Sequence, residues 1–368
     1  MSSEVVVSRN LRLSPPVRHD IAELDDYVAV EPPERLAERL GIGAGELIKL
    51  DANENPYGPA PDVAQAVARA RFDLYPDPLH LHMRRAIENY AGAPAERIMF
   101  GNGSDELLEL VIRLHLEPGD EVVSCPPTFG MYSFLPPLFF GRVIAVPRRE
   151  DFRVDLPAVL AALTERTKLI VLAAPNNPSG TLLPEADLRR LLECGRVVVL
   201  DEAYIEFAGS SAIPLTSEFG NLVVLRTFSK WAGLAGLRVG WGVFPADMMP
   251  HLWKIKQPYN VNVAAEAAVL ASLRQRDLLL ANVARIVAER ERLRAALSAL
   301  PGWAVLPSSA NFLLCQVPSA ARTFDHLLRH GIAVRRYNAP RLEHSLRITV
   351  GRPEDSDRML EVLRSTEA

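Results

Sequence analysis

Lys230 sits in the stretch LRTFSKWAGLAGLR (Leu225–Arg238), directly behind the apolar run Leu222, Val223, Val224, Leu225. It is one of only five lysines in a chain whose lysines and arginines total 41. A lysine at the end of a buried strand has two fates. Its stem can carry the ammonium out to water, the usual outcome, or a partly desolvated pocket can lower its basicity until the amine attacks a carbonyl. Asp201 also ends an apolar run, Val197–Leu200, and is followed by Glu202 and Tyr204. A carboxylate there needs a cation or several donors to stay ionised, and a helix cap or a structural ion pair would satisfy it equally well. In GNGSDE (101–106), Gly101 and Gly103 permit a tight turn and Ser104–Asp105 open a helix. A helix N-terminus offers free N–H groups and partial positive charge to a phosphate, although Ser104 or Asp105 could equally serve as a plain cap. A dinucleotide fingerprint fails here, because Glu106 stands where the third glycine belongs.

One ligand accounts for all of these residues. If the carbonyl is that of pyridoxal phosphate, Lys230 forms the Schiff base and Asp201 pairs with the pyridinium nitrogen, keeping the ring an electron acceptor. Gly103, Ser104, Asp105, Ser229 and Arg238 then meet the phosphate. Tyr204 and Asn177 reach the phenolic oxygen, and Phe129 offers a flat face to the ring.

The elements that must position these groups follow from the pattern. Seven β-type runs (97–100, 121–125, 142–147, 168–173, 196–200, 221–228 and 238–244) alternate with helical stretches such as 104–116 and 184–195. Several runs are continuously apolar, as strands buried on both faces should be, and the alternation implies crossover connections in a mostly parallel, doubly wound α/β sheet. GNGSDE, PPTFGMY (126–132), PNNPSG (175–180), DEAY (201–204) and Ser229–Lys230 each follow a run directly, which places them at strand C-terminal ends, where such sheets bind ligands. Near residue 262 the composition changes. An amphipathic stretch from Leu273 to Leu300 leads into a second, smaller α/β unit. The expected division is an N-terminal arm and helix over 1–48 packing on the small unit, a large cofactor unit over 49–262 and a small unit over 263–368.

A length of 368 residues, 48% apolar and 23% charged, suits a globular protein of about two domains. A net charge of −4 without a basic block speaks against a nucleic-acid partner, and no apolar run is long enough for a membrane span. Three widely spaced cysteines, with neither a CxxC nor a partnered histidine, suggest free thiols in a reducing, cytoplasmic setting and call for no metal.

The motifs resemble those of the pyridoxal-phosphate-dependent aminotransferases of fold type I and, within them, the histidinol-phosphate aminotransferase group. LDANENPYG (50–58), YPDP (75–78), PPTFGMYS (126–133), PNNPSG (175–180), VVVLDEAYIEF (197–207), RTFSKWAGLAGLRVG (226–240) and ANFLL (310–314) carry the resemblance, in order, over nearly the whole chain. It implies a large domain with a seven-stranded sheet and a smaller α/β domain. It also implies Lys230 as Schiff-base lysine and proton shuttle, and a homodimer in which Tyr75 reaches the partner's cofactor phosphate. Arg347 would grip the substrate anion, helped by Arg335 and by Tyr27 of the arm, with Asn53 and Glu54 near the imidazole side. The implied substrates are L-histidinol phosphate, which carries a phosphate, and glutamate or 2-oxoglutarate, which carry two carboxylates; a guanidinium fork binds either anion. Phe129 stands where tyrosine is common, Ser179 where threonine is usual and Asp26 where proline is frequent. An aromatic amino-acid aminotransferase of the same fold shares nearly every cofactor residue, and a phospho-amino-acid decarboxylase differs only in what leaves the α-carbon. A non-enzymatic regulatory protein would need an appended DNA-binding module, which the first 45 or so residues do not supply.

Overall fold

The computed structural model describes residues 17–23 and 30–365. Tyr27 and Asp26 lie outside the described residues. Among those described, seven strands form the larger sheet in the order Ile98–Gly101, Gly240–Val243, Leu222–Thr227, Val197–Asp201, Thr167–Ala173, Glu121–Ser124, Arg142–Ala145. All neighbours are parallel except Gly240–Val243, which runs antiparallel to both of its partners. This is the mostly parallel α/β sheet expected, each strand within a residue or two of its apolar run.

The unbroken apolar runs are explained by the two faces they serve. Leu222 and Val224 point into one core with Trp231, Trp241 and Val198, while Val223 and Leu225 point into the other with Val199, Leu107 and Tyr132. Alternate residues of one strand face opposite ways, so a strand buried on both sides can carry no polar stripe. Each such side chain contributes about 1.5–3 kcal/mol of transfer free energy.

A second sheet has the order Ile48–Leu50, Ile332–Arg336, Ser345–Thr349, Phe312–Gln316, Ala304–Val305. Its first strand pairs parallel to Ile332–Arg336 and the rest are antiparallel. The stretch expected as one amphipathic element from Leu273 is broken at Gln275, and the helices Val263–Arg274 and Arg276–Ser298 flank the break. The second helix rises about 34 Å at 1.5 Å per residue, enough to serve two cores. Its Leu279, Val283 and Ile286 pack with the large sheet, and its Leu293 and Leu297 pack with the small one. Among the described residues no helix is long and apolar enough to cross a membrane.

Candidate active site

The C-terminal ends of the large sheet's strands open into a cavity of about 730 Å³, closed on its far side by the small sheet. The helix Ser104–His115 starts at one end of it, with Gly103 as its N-cap at φ 83°. Its left-handed φ is what favours glycine here, and a Cβ would lie 2.7 Å from Nη2 of Arg238, whose flexible end would have to give way. Gly240 is equally constrained, because a Cβ there would come within 2.3 Å of the Ser104 backbone nitrogen. The helix N-terminus is thus pressed against the Gly240 strand with its N–H groups uncovered by side chains. Arg238, itself at φ 51°, brings its guanidinium 3.3 Å from Asp105. Buried Ser229 adds a hydroxyl, fixed by Thr227 at 2.9 Å. Donors converging on a glycine-lined helix end suit a phosphate.

Lys230 enters the middle of the cavity and donates to the Ala52 carbonyl at 3.2 Å. Burial, reinforced by the Arg347 charge, lowers its pKa to about 8, so a useful fraction of the amine is neutral near neutral pH. Asp201 ends the Val197–Asp201 strand and accepts from the Tyr132 hydroxyl at 2.7 Å and from the Ala203 N–H at 2.9 Å. Burial raises its pKa to about 6 against the pull of those two donors. Phe129 lines the cavity and meets Tyr132 edge to face at 5.6 Å. The Tyr204 hydroxyl accepts from Asn53 Nδ2 at 3.0 Å, and burial pushes its pKa up to about 12, so it keeps a proton to donate.

On the small-sheet side, Arg335 and Arg347 stand opposite each other on adjacent strands, and both line the cavity. Arg347 is 6% exposed; it donates to Asn177 Oδ1 at 2.8 Å and to the Asp51 carbonyl, while its Nε has no partner. Among the described residues no carboxylate forms an ion pair with it. With its oxygen turned to Arg347, Asn177 has its NH₂ left as the donor for a ligand.

Fourteen of the sixteen site residues expected from the sequence either line this cavity or stand at its rim. The others are Tyr27, outside the described residues, and Tyr75, which is 81% exposed and stacks on Tyr259 at 4.6 Å without lining its own chain's cavity. Glu54 is at the rim rather than in the pocket, drawn aside by Lys49 at 2.8 Å. Asn53 faces Tyr204 and Thr349. Sequence reasoning missed Tyr132, Thr227, Tyr337 and Arg341 as lining residues. Tyr132 had a signal, since it stands three residues after Phe129 in a quoted motif, at the start of the helix that follows. Arg341 had none: it donates to the Arg148 and Arg149 carbonyls from an irregular loop.

The family model for aminotransferase class I and II matches residues 45–363. Histidinol-phosphate aminotransferase of Roseiflexus castenholzii is 54% identical over 360 residues, covering 95% of this chain and 97% of that protein. The chain belongs to this family. Histidinol-phosphate aminotransferase 1 of Arabidopsis thaliana, a chloroplastic protein, is 42% identical, covering 99% of this chain and 89% of its own. The crystal structure of histidinol-phosphate aminotransferase from Sinorhizobium meliloti in complex with pyridoxal-5'-phosphate superposes with a TM-score of 0.84 at 30% identity, covering 98% of this chain and 99% of that one. As a member of the family the protein is a pyridoxal-phosphate-dependent aminotransferase. The glycine-cleared helix end, the neutralisable Lys230 and the buried Asp201 fit that cofactor's phosphate, carbonyl and ring nitrogen.

Proposed function

We propose that the protein transfers the amino group of L-histidinol phosphate to 2-oxoglutarate, giving imidazole acetol phosphate and L-glutamate, as a step of histidine biosynthesis. The observation that carries this reading is Arg347: a buried guanidinium with no carboxylate partner among the described residues, set beside Arg335 and facing Lys230's cavity. A buried guanidinium gains when an anion enters and pairs with it. A phosphate monoester and a carboxylate both match the guanidinium fork, so one site can serve a phosphorylated donor and a dicarboxylic acceptor in turn.

Pyridoxal phosphate, when bound, supplies an electron sink that lets a proton leave the substrate carbon bearing the nitrogen. We assign the binding of its phosphate to the Gly103–Ser104–Asp105 helix end, Ser229 and Arg238. Asp201 holds a proton at the ring nitrogen, and Tyr204 and Asn177 direct their donors at the phenolic oxygen. Phe129 covers one ring face. Lys230, with its depressed basicity, would take the proton from the substrate carbon bearing the nitrogen and deliver it to the carbon on the other side of that nitrogen, with the Ala52 carbonyl orienting its amine. Arg347 and Arg335 fix the substrate's far anion. Asn53 acts through Tyr204, to which it donates.

The protein, in this reading, works in the cytoplasm as a homodimer with shared sites. Phe72, Leu74, Tyr75 and Tyr259 leave apolar surface exposed around the Tyr75–Tyr259 stack, and a second copy docked there would take Tyr75 to its own cofactor phosphate. We also read 49–262 as the cofactor unit and 263–368 as the small one, bridged by the helix Arg276–Ser298.

The test is a half-reaction. Protein loaded with pyridoxal phosphate is mixed separately with L-histidinol phosphate and L-phenylalanine, and the visible absorbance is followed. Faster conversion by histidinol phosphate at low concentration is expected. Preference for phenylalanine would move the function to aromatic amino acids and overturn the reading.

A further inference from the structure

Asp201 is held by a side chain that no sequence motif assigned. Tyr132 lies on the helix Met131–Leu138, is 1% exposed, and directs its hydroxyl at Asp201 Oδ2 from 2.7 Å. Its ring meets the edge of Phe129 at an interplanar angle of 85°. The other oxygen, Oδ1, takes the Ala203 N–H. The charged and titratable groups acting on Asp201 include Tyr132 on the Met131–Leu138 helix, Asp105 on the Ser104–His115 helix, the adjoining Glu202 and Tyr204. Burial disfavours its charge most, and both carboxylate neighbours disfavour it further. Tyr132 supplies the side-chain hydrogen bond that opposes them.

We propose that Tyr132 is a positioning residue for the transamination reaction, whose hydroxyl keeps Asp201 ionised and aimed at the cofactor's ring nitrogen. This rests on the functional reading above. The geometry leaves the tyrosine hydroxyl little else to do: it is buried, its proton is committed to Oδ2, and its own ionisation is suppressed by burial and by Asp201. A hydroxyl that donates to a carboxylate stabilises only the charged form. Only the charged form can hold a proton at the ring nitrogen. Tyr132 therefore acts on the cofactor's electronics through Asp201, while its ring also buttresses the Phe129 face.

Tyr132→Phe separates these two parts, because it removes the hydroxyl and keeps the ring against Phe129. Two quantities read the result: the Kd for pyridoxal phosphate and the pH midpoint of the loaded protein's visible absorbance. Loss of a hydrogen bond to a charged group corresponds to about a tenfold rise in Kd and to a midpoint shift of about one pH unit. The shift is upward, since a ring nitrogen held less firmly protonated withdraws less charge from the Lys230 end. The same substitution in an Asp201→Asn background should add no further shift, because the hydroxyl then has no carboxylate to stabilise.

An unchanged midpoint and Kd in Tyr132→Phe would overturn the proposal. So would an equal shift in both backgrounds, which would mark a general packing effect. Far-ultraviolet circular dichroism of each apoprotein confirms that both variants are folded. If the wild type itself took up no pyridoxal phosphate, the functional reading would fall and this proposal with it; if it loaded normally while Tyr132→Phe behaved as wild type, only the proposal would fall.

Discussion

Replacing Arg347 by glutamine tests the anion site where the structure is most specific. The guanidinium has five N–H donors; two are committed to neutral oxygens, on Asn177 and Asp51, and its Nε has no partner. Among the described residues no carboxylate pairs with its charge, which leaves it open to an anionic substrate. A substrate phosphate or carboxylate held by two charge-assisted hydrogen bonds gains about 1.5–3 kcal/mol from each. Arg335, on the neighbouring strand, can recover part of the loss. A net deficit of about 3 kcal/mol then remains, or roughly a hundredfold in kcat/KM. The deficit should be similar for L-histidinol phosphate and for L-glutamate, because both anions would use the same fork. The assay is single-turnover absorbance on each half-reaction separately. A second readout comes from Lys230, whose amine loses the depressing effect of a nearby positive charge. Its pKa should rise above about 8, so the pH midpoint for uptake of pyridoxal phosphate by the apoprotein should rise with it. A loss under tenfold, or one confined to a single substrate, would refute the shared-arginine reasoning.

Two further outcomes are expected. Lys230 is held below its ordinary pKa, so the unfolded chain binds more protons than the fold between about pH 8 and 10.5. The apoprotein should therefore gain roughly 1–3 kcal/mol over that window relative to Lys230→Met, read as the difference in urea midpoints, and parallel curves would count against it. Behind the site, Arg226 is shared by two buried glutamates. Glu202 takes Arg226, Ser211 and the Ala212 N–H, whereas Glu206 has one oxygen without a partner and is pushed up to about 7 by burial. Glu202→Gln should cost about 3 kcal/mol or more and Glu206→Gln less than about 1, measured by urea unfolding at pH 7.5; equal losses would show that the satisfied carboxylate is not the one that matters.

The sequence made the catalytic half of the site readable because each chemistry-bearing peptide directly follows an apolar run. A parallel strand buried on both faces has a sharp hydrophobic signal, and its C-terminal loop inherits that sharpness. Lys230, Asp201 and the Gly103 loop were legible for this reason. Residues reached across the fold were harder. Asn53 holds Tyr204 across 151 positions and Thr349 across 296, and no local spacing encodes such pairings. Glu54 was displaced by a lysine only five positions earlier, a competition between two acceptors that composition cannot rank. The break at Gln275 was missed because the apolar periodicity continues through it: a helix that changes partners half-way along still needs an apolar stripe at both ends.

Residues 51–54 join the two halves of the site through main-chain oxygens. Lys230 rests on the carbonyl of Ala52, Arg347 on that of Asp51 and Asn311 on that of Asn53. A bond made to a carbonyl survives substitution of the residue that carries it, because every residue brings the same oxygen. The orientation of the Lys230 amine and of the Arg347 guanidinium is thus stored in the path of the chain. Only at Asn53, with φ at 55° and a side chain bonded to both Tyr204 and Thr349, do path and side-chain identity coincide. At Ala52 drift can leave the chemistry untouched, while Asn53 ties tolerance for mutation to the shape of the backbone.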